Sequence, residues 1–462
     1  MTVVSNEASV LARWQRMVYG APYLGYAIAT LPVAAFLPAF YASERGLELA
    51  AVGLMIALTR LTDVITDPAV GWFSDRLRTG IGRRKPVILL GLPLLCVSIW
   101  MLFVPPADAG LTHVFVWAAL LYLGFTLVDL PFKSFGAELS PRYDERAELA
   151  GWREGFGLAG TLLGLVAAIF VAREGSGALG EQLLVLAAIA IIATPLLFAL
   201  TLSILREPPP PDATTRDLPM KAKLRIIWRN GPYRRLLFVS LLLVSSGFGA
   251  SSLTALILEH LFDAQALFPV LLLAELVMMV GSIPFWLWLA KRTSKHRSVA
   301  VAAVWGGGLS LVVPFVASGS LETFFVLAIL KNASLGAITV LLNGMAADVI
   351  DIDTARTGET RTGVYFAFWG MVNKGAVALG VLAATGLPGL LGYAASEEGV
   401  QNAGALLWTY GLAPAAGLLI SAPIINAWPI SRDRQARLRA LIERRAARKS
   451  PNPPDLLRST LP

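Results

Sequence analysis

The sequence predicts an all-α polytopic membrane protein, with twelve transmembrane helices arranged as two six-helix bundles. Three observations predict it. Of the 462 residues, 56% are hydrophobic and only 15% charged, against about a quarter charged in soluble globular chains; mean hydropathy is +0.64. Twelve apolar stretches each approach the roughly 20 residues that a helix needs to cross the hydrocarbon core. Features of the first six stretches also recur at matching places in the last six. Runs this long and continuous must satisfy their own backbone in lipid, so they are helices rather than strands. This composition argues against a soluble enzyme, a disordered scaffold and a secreted disulfide module. The single cysteine, Cys96, excludes an intramolecular disulfide and a Cys-based metal cluster. His113, His260 and His296 lie far apart in sequence, which argues against a histidine metal site.

The elements follow in order. Met1 to Arg16 is polar, with Glu7, Arg13 and Arg16, and has no apolar core followed by a small-residue cleavage site, so no cleavable signal is expected. Span 1 covers 17–41. Span 2 (50–73) holds Arg60, Asp63 and Asp67 and runs into the basic loop Asp75–Pro86. Span 3 (87–105) is apolar, and span 4 (113–137) carries Thr126, Asp129 and Lys133. Span 5 (152–172) opens on Trp152-Arg153-Glu154; its Gly155, Gly157, Gly160 and Gly164 suit close helix packing. Span 6 (183–205) completes a first bundle over 1–205. Residues 206–234 form a connector, proline-rich from Glu207 to Pro211 and basic toward Arg234 and Arg235, expected to be extended and cytoplasmic. Span 7 (235–260) opens the second bundle, 235–429. Span 8 (264–290) carries Glu275 and precedes the basic loop Lys291–Arg297; span 9 (298–317) is apolar. Span 10 (322–346) carries Lys331, a structural or gating partner for Glu275. Span 11 (363–392) carries Trp369, Lys374, Gly370, Gly375 and Gly380, and span 12 covers 402–429. The tail, 430–462, is basic with apolar Leu438, Leu441 and Ile442, and is either a solvated helix or an interfacial one on anionic lipid.

Charge orients these spans. With the N-terminus inside, thirty-two of the 39 Lys and Arg fall in cytoplasmic segments, counting Arg235 with the connector. Only Arg45 and Arg173 fall outside, and Arg60, Lys133, Arg153, Lys331 and Lys374 fall within spans. The positive-inside rule therefore predicts that both termini are cytoplasmic. The halves echo each other: Ala137-Glu138 with Arg146 and Gly151 resembles Ala347-Asp348 with Arg361 and Gly363, and basic loops follow spans 2 and 8. Paired halves with a site at their interface are the usual plan of a secondary transporter.

Ionisable groups in mid-bilayer cost several kcal/mol, so each marks a paired or water-lined position. Asp63 and Asp67 are i,i+4 on one face, with Arg60 a turn before. Two close carboxylates repel unless a proton or cation lies between them, which makes Na⁺ or H⁺ the natural occupant. The alternative is a structural ion-pair cluster with Arg60 or Lys374. Thr126 is placed to lend a hydroxyl to the same cation, and Asp129 to accept substrate hydroxyls, unless it pairs with Lys133. Arg153 lies near a span end, where it can also snorkel; Lys374 is deep and needs a carboxylate across the halves. Trp152 and Trp369 are the candidates for stacking on a sugar. Trp72, Trp100 and Trp428 fit the interfacial aromatic belt.

The stretch Gly71-Trp72-Phe73-Ser74-Asp75-Arg76 followed by Gly82-Arg83-Arg84-Lys85 resembles the loop signature of the major facilitator superfamily. Asp63-x-x-x-Asp67-Pro68-x-x-Gly71, Asp129-x-Pro131-Phe132, and Ala347-Asp348-Val349-Ile350-Asp351 with Arg356-Thr357-Gly358-Glu359-x-Arg361, Gly363 and Lys374 resemble the glycoside–pentoside–hexuronide:cation symporters, the melibiose:sodium group. The matches run in order from about Tyr19 to Lys374. The resemblance implies a major facilitator fold, a cation site of Asp63, Asp67 and Thr126 with Thr66 where the family often has an amide, sugar contacts from Asp129 and Arg153, and a coupling lysine at Lys374. A cytoplasmic gate of Asp75, Arg76, Arg83, Arg84, Asp348 and Arg361 is expected to break when the halves rock. Two departures stand out. No carboxylate occupies Gly20 to Thr30, where the melibiose carrier has an aspartate, and Lys133 replaces that carrier's stacking aromatic. The extra cation near Asp129 and Arg153 points toward an anionic sugar such as a hexuronide.

The expectation is thus a monomeric inner- or plasma-membrane symporter with no cofactor beyond a coupling Na⁺ or H⁺ and no nucleic-acid partner. Its solute is a glycoside or anionic sugar, with Asp129, Arg153, Lys133 and Trp369 as contacts and Lys374 and Arg60 as the charge network. A lysophospholipid carrier of the same branch is the alternative. A remote one is an intramembrane prenyl- or phospho-alcohol transferase, which would use Asp63-x-x-x-Asp67 and the loop cluster Asp348, Asp351 and Asp353 to hold a divalent metal and a diphosphate.

Overall fold

A computed structural model describes residues 11–140, 143–175, 178–207, 222, 225, 228–317, 319–357, 362–396 and 399–429. The expected connector therefore falls largely outside the described residues, as do the basic tail and the side chain of Arg361. Helices α1 (Arg13–Gly20), α2 (Pro22–Ala35) and α3 (Leu37–Ser43) make up the first span. The remainder of the first half is α4 (Leu49–Arg76), α5 (Lys85–Phe103), α6 (Leu111–Glu138), α7 (Tyr143–Glu174) and α8 (Leu179–Ile204). The second half is α9 (Gly231–Phe262), α10 (Phe268–Arg292), α11 (Lys295–Val316), α12 (Leu321–Thr357), α13 (Thr362–Leu390) and α14 (Gly404–Asn426). Among the described residues, eleven helices are long and apolar enough to cross a membrane, and the bent first span makes twelve.

Three local features depart from the sequence expectation. Span 1 is broken, turning by 42° before Leu37. Pro38 has no N–H for the carbonyl four residues back and Pro32 removes another helical bond, so the chain bends where two rungs are missing. Helix α12 continues through Thr357, so Asp348 and Asp353 lie on a helix that projects past its span rather than in a loop. Between α13 and α14, β1 (Ala394–Ser396) pairs antiparallel with β2 (Gly399–Gln401), Ala394 facing Gln401.

The packing shows how the two bundles meet. One apolar core runs across both halves at the end that carries α3, uniting Phe36 and Phe40 with Leu253, Leu256, Phe268, Val381 and Ala384. There the Phe36 and Phe268 rings meet edge to face at 4.8 Å. A second core (Tyr233, Trp286, Ile338, Met345, Tyr365, Trp369) belongs to the second half alone. The apolar seal between bundles is therefore at one end, with α4 against α13, α7 against α10 and α2 against α9 as the seams. At the sealed end the Glu44 carboxylate caps α8, accepting from the Leu179 and Gly180 amides at 2.5 and 3.2 Å. Burial pushes that carboxyl above the usual carboxylate range, against the lowering effect of these amides.

Close approach explains some of the span glycines. A Cβ on Gly160 would collide with the Leu24 carbonyl, and one on Gly380 with the Ser245 carbonyl. At Gly155, Gly370 and Gly375 a Cβ would meet nothing within 4 Å, so those glycines border open space rather than a packed helix.

Candidate functional site

The centre of the molecule holds a four-residue charge node built from three helices. Asp63 and Asp67 project from α4, one turn apart. Lys374, from α13 of the other half, places Nζ 2.6 Å from Asp67 Oδ2 and 3.2 Å from Asp63 Oδ2. Thr126, from α6, donates its hydroxyl to Asp67 Oδ1 at 2.9 Å. Among the described residues this is the ion pair that joins the halves. Asp63 is 4% exposed, and its Oδ1, like the buried Thr66 Oγ1, has no hydrogen-bond partner in the protein. Pro68 within α4 leaves the Val64 carbonyl without its helical donor, adding an oxygen one turn from Asp67. If both carboxylates are ionised, the single ammonium leaves the node one positive charge short of neutrality. Its oxygens are the hard donors that alkali cations prefer.

Arg60 is not part of that contact. Its guanidinium lies over the Tyr122 ring at 4.1 Å and forms no ion pair with Asp63 or Asp67. Lys374 fills the cation position at the carboxylates, and the Tyr122 face takes up the arginine instead.

A second cluster lies on α2, α6 and α7. Asp129 Oδ2 accepts from Lys133 Nζ at 2.7 Å, so the i,i+4 pairing within α6 is present. The Tyr23 hydroxyl donates to Asp129 Oδ1. Arg153 stands 5.3 Å above the Tyr23 ring and bonds Glu154 at 2.8 Å. Tyr26 packs beside Tyr23, ring centroids 5.2 Å apart. Sequence reasoning missed both tyrosines, because an aromatic in an apolar span has the same pattern as core.

Trp369 is placed elsewhere. Its Nε1 donates to Asn343 Oδ1 at 3.1 Å inside the second half's core. Five residues separate it from Lys374, about 140° around an α-helix, so the two cannot face the same side. Asn373 continues this polar line, accepting from Ser240 at 2.9 Å and donating to the Trp369 carbonyl at 3.0 Å. Trp152 packs against Phe156, ring centroids 6.2 Å apart.

At the end opposite the apolar seal, Arg84 is 6% exposed. It bonds Asp75 at 2.6 Å, Glu138 at 2.9 Å and Ser74 at 2.7 Å. Arg83 reaches the same Glu138 at 2.8 Å. Glu207, which the sequence reading passed over beside the proline run, accepts from the Arg83 and Arg84 amides at 3.1 and 3.0 Å. It thus ties the end of α8 to the start of α5, where a carboxylate also suits the helix dipole. Arg76 stacks on Trp72 at 4.1 Å instead. In the second half, Lys295 bonds Asp348 at 2.7 Å. Basic loop to acidic helix end is therefore the same device in both halves, matching the sequence echo. Each of these pairs lies within one half, so none of them spans the seam that the expected gate would break.

Glu275 and Lys331, expected to pair, make no direct ion pair. They line one small cavity of ≈ 20 Å³ with Ser310 and Asn332. The Lys331 ammonium instead lies 3.3 Å from the Tyr410 ring centroid.

The model of the MFS/sugar transport protein family matches residues 18–432. The isoprimeverose transporter of Lactiplantibacillus pentosus is 24% identical over 418 residues, covering 84% of this chain and 83% of that one. The sodium-dependent lysophosphatidylcholine symporter 1 of Gallus gallus is 26% identical over 437 residues, covering 81% and 78%. Among solved structures, the nucleoside transporter NupG superposes with a TM-score of 0.65 at 13% identity, over 91% of this chain and 100% of that one. That likeness shows the twelve-helix fold.

Proposed function

Because the chain belongs to the glycoside–pentoside–hexuronide:cation symporter family of the major facilitator superfamily, we propose that it moves a sugar-type solute by symport with Na⁺ or H⁺. It is a multi-pass membrane transporter; the transferase alternative falls with the family. The observation that carries the coupling is the Lys374 ammonium shared between Asp63 and Asp67 across the seam. In the empty carrier the lysine stands where the coupling ion will go. A cation entering among Asp63, Asp67, Thr126 and the free oxygens nearby displaces Lys374, and the tie between the halves loosens. Solute then binds at the Asp129, Lys133, Tyr23 and Arg153 cluster, its hydroxyls replacing the Lys133 and Tyr23 donors on Asp129. The Arg153 partner, Glu154, is 73% exposed. Exposed pairs are weak, which leaves the guanidinium available to a solute carboxylate and supports an anionic sugar. By linkage, cation and solute tighten each other equally. Both termini lie on the cytoplasmic side in this proposal, following the Lys and Arg asymmetry.

A lysophospholipid solute is the second reading, favoured by the likeness to the lysophosphatidylcholine symporter. A melting-temperature panel of neutral glycosides, hexuronides and lysophospholipids, with and without Na⁺ at constant ionic strength, separates the two. A saccharide shift that grows with Na⁺ supports the sugar symporter; shifts with lysolipids alone replace it. In proteoliposomes Asp67→Asn should abolish cation-driven uptake while leaving insertion intact, and uptake that keeps its gradient dependence counts against the node.

A further inference from the structure

A groove of ≈ 590 Å³ opens on the outside of the second half, between the last turns of α10 and α14 and the first turns of α11. Its long walls are apolar, from Leu289, Val301, Val304 and Leu419, and none of the residues of the Asp63–Lys374 node lines it. Val301 and Val304 are more than half exposed, so in a membrane-spanning chain the groove faces lipid. Its polar residues gather at one end only. Thr293, Arg297 and Asn426 lie at the helix ends, whereas Val304 and Leu419 lie seven residues deeper along their helices, roughly 10 Å at 1.5 Å per residue.

The mouth is cationic. Among the described residues, Arg297 forms no ion pair and no acidic residue lines the groove. Arg297 belongs to the first turn of α11, where Ser294 caps the helix and the dipole adds positive potential. Arg235 donates to the Ala427 carbonyl, which brings a second guanidinium beside Asn426. Arg292, stacked on Trp288 at 4.5 Å, is a third cation at the same level. An apolar slot entered from the bilayer and rimmed by cations at interface depth fits an acyl chain below an anionic headgroup.

We propose that this groove is a binding site for an anionic phospholipid, with one acyl chain along Val301, Val304 and Leu419 and the phosphate at Arg297. The chemistry asks for both parts at once. A zwitterionic lipid offers the chain without net negative charge, and a free phosphate ester offers the charge without the chain.

The test is the melting temperature of delipidated protein in an uncharged detergent, titrated with phosphatidylglycerol, with phosphatidylcholine of identical chains, or with glycerol 1-phosphate. Phosphatidylglycerol should stabilise at lower concentration than phosphatidylcholine, and glycerol 1-phosphate should have little effect. Arg297→Gln should raise the half-saturating phosphatidylglycerol concentration about fivefold, the factor that one cation near an anionic headgroup is worth. Val304→Trp, which fills the slot, should reduce the response to phosphatidylglycerol; Val301→Trp serves if that variant does not fold. Equal shifts with the two lipids, an unchanged titration in Arg297→Gln, or a full response to glycerol 1-phosphate alone would each overturn the site. Arg297 takes no part in the transport machinery described above, so this result stands apart from the symport experiments.

Discussion

Replacing Lys374 with methionine removes an ammonium that lies 2.6 Å from one carboxylate and 3.2 Å from another. Hydrogen bonds to charged groups contribute about 1.5–3 kcal/mol each, and breaking a fully buried ion pair costs about 3–5 kcal/mol. Lys374 is 37% exposed, so solvent screens part of this and the lower range, about 1.5–3 kcal/mol, applies. In the proposed cycle an incoming cation must first displace the lysine, which subtracts that energy from its binding. Lys374→Met should therefore bind the coupling ion about 10- to 100-fold more tightly, at 1.4 kcal/mol per decade. The assay is the melting temperature of the purified variant against NaCl at constant ionic strength, repeated as a pH series for the proton case. The curve for the responsive ion should move to lower concentration, while gradient-driven uptake is lost because the halves have lost their switchable tie. Na⁺ and pH dependences both unchanged from the parent would refute displacement by the cation.

Tyr23→Phe deletes the hydroxyl that a solute must displace from Asp129 and should strengthen solute affinity several-fold while leaving cation binding at Asp63 and Asp67 unmoved, measured by the same melting titrations. Thr126→Val removes the 2.9 Å donor to Asp67; the loss of one hydrogen bond, about 0.5–1.5 kcal/mol, should change cation affinity by roughly two- to tenfold without changing the fold by circular dichroism. Arg84→Gln removes the buried guanidinium that bonds Glu138, Asp75 and Ser74, while Arg83 still holds Glu138 and Asp75 stays exposed to water; it should cost about 1.5–3 kcal/mol of stability, more than Lys295→Met, whose lysine is 36% exposed. Lys331→Met and Glu275→Leu each remove one of two opposite charges that line the same small cavity without touching, and a chemical denaturation cycle should give them a coupling energy smaller than that of a direct ion pair.

The twelve spans are legible because lipid imposes a length and a composition that few other environments do. The bend in span 1 is written in Pro32 and Pro38, but a hydrophobic run hides a break in its own hydrogen bonds. The helical reach of α12 past its span is obscured by Asp348, Asp351 and Asp353, which look like a loop until Lys295 pairs with Asp348 and the helix carries on into water. The meeting of Lys374 with Asp63 and Asp67 can be anticipated because a charge in hydrocarbon must find its opposite. Tyr23 and Glu207 cannot: the one looks like core, and the other acts through backbone amides of a loop remote in sequence. Nearness to Lys374 in sequence draws Trp369 toward the site, and helical rotation places it on another face.

In the proposed cycle, the charge count at the central node sets how membrane voltage enters. With both carboxylates ionised, Asp63, Asp67 and Lys374 together carry one negative charge when the site is empty, and none once a monovalent cation is bound. The loaded carrier thus presents an electrically neutral centre to the field as it reorients. The unloaded return moves one charge, for which a full crossing of the potential is worth about 2.3 kcal/mol per 100 mV. Voltage should then govern how quickly the empty carrier resets and leave the loaded step nearly indifferent to it for an uncharged sugar, whereas an anionic sugar carries its own charge through that step.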